Sequence, residues 1–250
     1  MSNYYRSILN VQAPSFTNTK SVSFDGIDDY VDCGDADNLS FGNGSTDSPF
    51  SISAWIKIGQ TTTQGIVSKF GGNTNLREWL LYTTGAKLRL LLVDASNGKQ
   101  IFGTSPSNLS INNWHHVVCT YNGVGGGTAA NGIKLYINGV AQSVTVNNQS
   151  SYTAMSNTNT TVKIGKFVTS EIQGSIDEVA IFNSELSSSD VTAIYNSGVP
   201  SSLASYSSHV SWLRMGDGDT FPTLIDNGSG GNNGTMQNMT SGNIVTDVPT

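Results

Sequence analysis

Two pairs of adjacent ionisable residues, Asp177-Glu178 and His115-His116, are the chain's candidate acid–base groups. Two carboxyls cleave a glycosidic bond only when both face it, roughly 5 Å apart in the retaining geometry. Neighbours on a strand point to opposite faces, so neither pair is expected to share a site. No Gly-x-Ser-x-Gly elbow and no phosphate-cradling glycine loop occurs. Cation binding is the stronger chemical candidate. Asp25, Asp28 and Asp29 crowd a turn at Gly26, and calcium takes carboxylate and turn-carbonyl oxygens at about 2.3–2.6 Å. The competing reading gives Asp25 and Asp28 the ordinary task of accepting bonds from the turn's own amides.

Sugar recognition asks for aromatic faces that meet C–H groups, flanked by polar groups that bond hydroxyls. Trp79, Tyr82, Phe102, Tyr152 and Phe167 fall near expected strand ends or loops. Arg77, Glu78 and the amides of Asn73 and Asn75 surround Trp79 in sequence. The candidate glycan set is Trp79, Tyr82, Arg77, Phe102 and Tyr152. Each aromatic has a competing role as a core residue.

Strands must position these groups. Only 12% of the 250 residues are charged and 27 are glycine, a composition suited to strands joined by tight turns. Ile52, Ala54, Ile56 and Ile58 alternate with Ser51, Ser53, Trp55 and Lys57, and Val117, Cys119 and Tyr121 alternate with their neighbours. Both patterns predict half-buried strands. Trp79–Tyr82 and the apolar run Leu88–Val93 add two more. Asn138-Gly139 predicts a hairpin turn after Ile133–Ile137. One helix is expected, over Ser187–Tyr195, capped by serine, favoured by Asp190 and stopped at Asn196–Gly198. Cys33 and Cys119 make no disulfide framework; two reduced thiols are expected, with a Cys33–Cys119 bridge as the alternative. The net charge of −6 and the lack of a basic run exclude phosphate-backbone binding, so no nucleic acid is expected. No stretch approaches the ~20 apolar residues of a membrane span. The N-terminus lacks the pattern of a secretion signal, so synthesis and folding in a host cytoplasm are expected.

Four segments in fixed order, SVSFDGIDDYVDC (Ser21–Cys33), FSISAWIKI (Phe50–Ile58), WHHVVCTYNG (Trp114–Gly123) and QGSIDEVAIFN (Gln173–Asn183), resemble the laminin G-like, pentraxin-related branch of the concanavalin A-like sandwiches. The resemblance implies an all-β, two-sheet antiparallel jelly-roll with one short helix. It makes Trp55 and Trp114 structural. It also places Asp177 near the Gly26 turn, which makes Asp25, Asp28 and Asp177 the candidate ligands of a structural calcium. Cys119 falls where pentraxins carry one half of a disulfide, but the partner position around residues 52–54 has no cysteine. The double-calcium site of pentraxins has no acidic counterpart in Thr169–Ile172, and the Glu-x-Asp-x-x-Glu motif of laminarinase-type enzymes is missing. The chain is therefore read as no enzyme.

Three regions follow. Residues 1–20 read as an N-terminal arm, either docking on another protein through Tyr4, Tyr5, Ile8, Leu9 and Val11 or pinned along its own domain. Residues 21–239 form the sandwich, and residues 240–250 a tail. The stretch 210–239 resembles the opening of a laminin G-like repeat, so it either folds back to supply the first strands or pairs with a neighbouring subunit. With SGNIVTDVP it also resembles laminin G-like virion proteins of tailed bacteriophages. The expectation is a non-catalytic virion component that binds other virion proteins or itself and contacts host-surface glycans. The alternative is a carbohydrate-binding lectin, and glycoside hydrolysis ranks last.

Overall fold

A computed structural model describes residues 16–250; the expected arm contacts of Tyr4, Tyr5, Ile8, Leu9 and Val11 lie outside them. Alternating apolar residues pair into two antiparallel sheets that face each other across one core. The first follows the order β10 (Val140–Ala141), β9 (Ile133–Ile137), β8 (Trp114–Tyr121), β3 (Phe50–Ile58), β15 (Gln173–Phe182), β1 (Ser21–Asp25) and β19 (Ile244–Val245). An eighth strand, β16 (His209–Leu213), also pairs with β15.

The second sheet has nine strands. Their order is β11 (Thr145–Asn147), β7 (Lys99–Asn108), β6 (Lys87–Asp94), β5 (Arg77–Thr84), β4 (Gln64–Phe70), β12 (Lys163–Ile164), β2 (Tyr30–Asp32), β18 (Gly234–Gln237) and β17 (Thr223–Leu224). A small hairpin, β13 (Lys166–Phe167) with β14 (Ser170–Glu171), crosses beside β4. The architecture is the expected jelly-roll sandwich with one short helix.

Ile52, Ala54, Ile56 and Ile58 all point into the core and meet Trp79, Leu81, Leu90 and Leu92 of the opposite sheet in one apolar cluster. The other face of β3 is buried as well: Ser51, Ser53 and Trp55 are nearly inaccessible. Helix α1 (Ser188–Tyr195) explains this. Val191 and Ile194 pack with Leu203 on Val118, Tyr136, Ala180 and Phe182, the outward side chains of the eight-stranded sheet. Ser187 caps the helix by accepting from the Asp190 amide, and Asp190 returns a bond to the cap. Asn196 ends the helix in the left-handed conformation, which asparagine tolerates. Asn138 and Gly139 both take positive φ, as a tight hairpin turn requires.

The first and last described strands join the sandwich. Ser21 pairs with Val245, so β1 lies between β15 and β19. Thr235–Gln237 of β18 pairs with Asp32–Tyr30 of β2, and Asp247 bonds Lys57 and Trp114. Cys33 and Cys119 are free buried thiols. Among the described residues, no helix is long and apolar enough to cross a membrane.

Candidate functional site

The helix covers the outer face of one sheet, while on the outer face of the other a floor of apolar side chains is overlaid by the β13–β14 hairpin and by long side chains. On β5 the period of two separates the sequence candidates. Trp79 and Leu81 point inward; Leu80 and Tyr82 point outward. Trp79 is fully buried, lies 6.3 and 6.1 Å from the rings of Phe41 and Phe50, and donates from Nε1 to the Leu39 carbonyl at 3.0 Å. It has no face to offer a sugar, which corrects its place in the candidate set. Tyr152 is also buried, and its hydroxyl donates to Asp47 Oδ2 at 2.9 Å beside the Tyr121 hydroxyl at 2.8 Å. It holds loops together and leaves the set too.

Tyr82, Arg77 and Phe102 come together on the outer face. Phe70, Leu80, Tyr82, Leu91 and Val93 form an apolar floor there, with Phe102 and Phe167 half-exposed against it. The rings and cations interleave in a row. The Arg77 guanidinium sits 4.7 Å from the Phe70 centroid. Phe70 meets Phe167 edge-on at 5.8 Å, and Phe167 lies 5.5 Å from Tyr82. Arg89 then stands 5.7 Å from Tyr82 and 4.3 Å from Phe102. Arg89 and Phe70 were missed in the sequence. Arg89 had a signal: it is the one cation inside the run Leu88–Val93, and alternation sends it away from the leucines that fill the core.

Backbone and hydroxyl groups hold both guanidinium groups still. Arg89 donates to Thr104 Oγ1 at 2.7 Å and to the Tyr82 hydroxyl at 3.2 Å. Arg77 donates to the carbonyls of Gly71 and Gly72 at 3.2 and 2.8 Å. Phe167 is placed by the β13–β14 hairpin, whose Lys166 carbonyl accepts from Ser68 Oγ on β4 at 2.7 Å. This face can stack a flat apolar surface on rings and donate hydrogen bonds from fixed cations.

A cleft of about 540 Å³ opens elsewhere, at the loop end, lined by Asp35, Asp37, Asn75, Ser96, Asn157 and Thr158 among others. It has polar groups and no aromatic side chain, so it lacks the stacking surface found on the sheet.

The calcium set is not assembled. Asp25 pairs with Gln173, and Asp177 stands four residues further along β15, about 13 Å away at a strand's rise. Asp29 takes its place: Asp25, Asp28 and Asp29 bring carboxylate oxygens within 4.8 Å of one another. Their oxygens serve the turn. Asp25 Oδ1 accepts from the amides of Ile27 and Asp28, and Asp29 Oδ2 from the Asp25 amide and Asn243. That is the hydrogen-bonding role of Asp beside Gly.

Asp177 and Glu178 do not face opposite ways as alternation predicts. A bulge interrupts β15 here, with Glu178 at φ 46°. Both carboxyls lie under residues 16–20: Asn18 donates to Asp177 at 2.7 Å, while Trp212 and Arg214 donate to Glu178 at 2.6 and 3.2 Å. Burial, then the neighbouring Glu178, pushes Asp177 up to about 8. Burial pushes Glu178 up to about 7 despite the bonds from Trp212 and Arg214. The His pair is split: His116 is wholly buried and bonded to Ser53 Oγ at 2.8 Å, whereas His115 bonds Ser110 at the surface.

Two facing antiparallel sheets with one short helix define a jelly-roll sandwich. Residues 25–192 match the family model described as the concanavalin A-like lectin/glucanases superfamily, and the chain belongs to that superfamily. Among solved structures it is similar to a candidate carbohydrate-binding protein from Bacteroides ovatus, with TM-score 0.59 and 17% identity over 94% of this chain and 62% of that one. It therefore spans less than two thirds of that protein. It is also similar to the CBM40 of the Ruminococcus gnavus IT-sialidase, solved with α2,3 sialyllactose, with TM-score 0.53 and 16% identity over 70% of this chain and 96% of that one. At these identities the likeness is one of fold. No curated protein sequence matches the chain.

Proposed function

We propose that this protein is a non-catalytic glycan-binding domain and that the outer face of its nine-stranded sheet holds the sugar. The observation that carries the reading is the row of rings and guanidinium groups from Arg77 to Phe102, fixed before any ligand arrives. Pre-organised aromatic faces lose little freedom on binding. The names of the similar Bacteroides and Ruminococcus structures support the same chemistry. The non-catalytic part of the reading rests on Asp177 and Glu178, which lie beneath residues 16–20 instead of in an open cleft.

The test is a glycan panel titrated with the wild-type chain and with Phe102→Ala and Phe167→Ala. Each variant is expected to bind about tenfold more weakly, ~1.4 kcal/mol, and to keep a cooperative melt at a somewhat lower temperature, because each ring also packs on the apolar floor. Unaltered affinity in both variants, or no binding to any saccharide, overturns the proposal.

The setting we propose is a tailed-bacteriophage virion, with self-association or contact with other virion proteins. Its support is the resemblance of the C-terminal sequence, including SGNIVTDVP. Antibody raised against the chain should label intact purified particles; label confined to lysate overturns that setting.

A further inference from the structure

The charge on the proposed sugar face differs from that of the molecule as a whole. The chain carries a net charge of −6. Yet the outward positions of β5, β6 and β7 along the ring row, Leu80, Tyr82, Thr84, Arg89, Leu91, Val93, Phe102 and Thr104, include no carboxylate. Glu78, at the start of β5, is buried and engaged with Thr158 and Lys69.

Several cations of the chain are already charge-paired. Lys57, Lys69, Lys134, Lys166 and Arg214 each meet a carboxylate. Arg77 and Arg89 meet none within ion-pair distance among the described residues, as is also true of Lys20, Lys87, Lys99 and Lys163. Arg77 and Arg89 lie against the rings of the row instead. They are half-buried, and removing a cation from water without a counter-charge is unfavourable.

The fork geometry leaves room for a ligand. Arg89 uses Nε and Nη1, and Arg77 uses Nε and Nη2. The remaining nitrogen of each, Nη2 of Arg89 and Nη1 of Arg77, makes no hydrogen bond among the described residues. A guanidinium so fixed binds a carboxylate or sulfate with little further loss of freedom. Phe167 touches both Phe70 beneath Arg77 and Tyr82 beside Arg89, so a saccharide stacked on Phe167 lies between the two cations.

We propose that the saccharide recognised on this face is anionic, carrying carboxylate or sulfate groups that pair with Arg77 and Arg89. The proposal rests on the glycan-binding reading above and narrows it to a substrate class.

The test is calorimetric titration of the full chain with a polyuronate, a sulfated galactan and a neutral galactan of similar length, at low and at raised salt. At least one anionic polymer is expected to bind ten or more times more tightly than the neutral one. Its affinity should fall as salt rises, since exposed charge pairs are screened. Comparing the first two polymers separates carboxylate from sulfate.

Arg89→Gln and Arg77→Gln should each weaken anionic binding about tenfold, a larger loss than either causes for the neutral polymer. Arg89→Lys, which keeps the charge and loses the fork, should fall between. Lys134→Gln, on the opposite sheet and paired with Glu185, should have no effect and so excludes a general attraction to polyanions. Melting temperatures near wild type show that the variants are folded. Equal affinity for neutral and anionic polymers, or the same loss from Lys134→Gln as from Arg89→Gln, overturns the anionic assignment and leaves glycan binding standing. Binding to no polymer overturns both.

Discussion

Asp177 shows how one buried residue sets the pH response of the molecule. Its carboxyl is fully inaccessible, and Glu178, Asp217 and Arg214 lie around it. With Asp177 raised from an ordinary 3.8 to about 8, the folded state keeps its proton where the unfolded chain has lost it. The sign follows from linkage: stability from this group is complete below about pH 4 and is lost as pH rises towards about 8. One uncompensated proton gives a slope of at most ~1.4 kcal/mol per pH unit, and Glu178 acts in the same direction. Protonation also supplies a bond, because Asn18 Oδ1 is buried without a donor and a neutral Asp177 can offer its O–H once the Asn18 amide is turned. The melting temperature should therefore fall between about pH 4 and about pH 8, and Asp177→Asn should flatten that fall. An equal slope in wild type and variant would show that Asp177 is not the group responsible.

At the scale of elements, β4 and β5 are tied together through one buried cation. Lys69 of β4 has no exposed side-chain surface; it meets Asp35 from the loop after β2 and lies 3.6 Å from Glu78 of β5. Glu78 in turn accepts from the Thr158 amide and hydroxyl at 2.7 and 3.0 Å. Burial pushes Glu78 up to about 7 even with Lys69 beside it. Lys69→Met removes the one cation facing a buried carboxylate, and breaking such a pair costs about 3–5 kcal/mol. The loss should be smaller near about pH 5, where Glu78 takes up its proton, than near about pH 8. Denaturant unfolding of the variant at both values is the check, and a cost below about 1 kcal/mol at each would remove Lys69 from any structural role.

The same pair of strands shows how much of the site was legible. Alternation gave the inward isoleucines of β3, and capping chemistry gave the helix start at Ser187, because both depend on local sequence. It also suffices to separate Trp79 from Tyr82, three residues apart and therefore on opposite faces; grouping them was an error of parity. Asp177 and Glu178 were a different matter. Their shared side depends on a bulge in β15 that only the pairing with β3 and β16 makes necessary. Phe70, Phe167 and Arg77 meet through a hairpin that crosses β4, a non-local contact with no trace in the spacing of residues.

For the whole molecule, the two cysteines report whether the sandwich opens in one step. Cys119 sits at the centre of the eight-stranded sheet, opposite Ile52 and Leu135. Cys33 lies at the other layer under the C-terminal strands: a Cβ added at Gly234 of β18 would stand 3.6 Å from its sulfur. Burial pushes both thiols up, and since the thiolate is the reactive form, both should be inert to a thiol reagent in the folded protein. Residues 209–245 contribute β16 to one sheet, β17 and β18 to the other, and β19 to the edge beside β1, and their apolar side chains Val210, Leu213, Leu224 and Met236 belong to the same core as Ile52 and Leu90. A core shared in this way ties the C-terminal strands to the rest, and the expectation is that they unfold together. Cys33→Ala and Cys119→Ala, each leaving a single reporter, should therefore be labelled over the same denaturant range, coincident with loss of tryptophan signal. Labelling of Cys33 in native buffer while Cys119 stays protected would show instead that the C-terminal strands detach by themselves. The sandwich would then have a removable flap over β2, and the folded unit would end before His209.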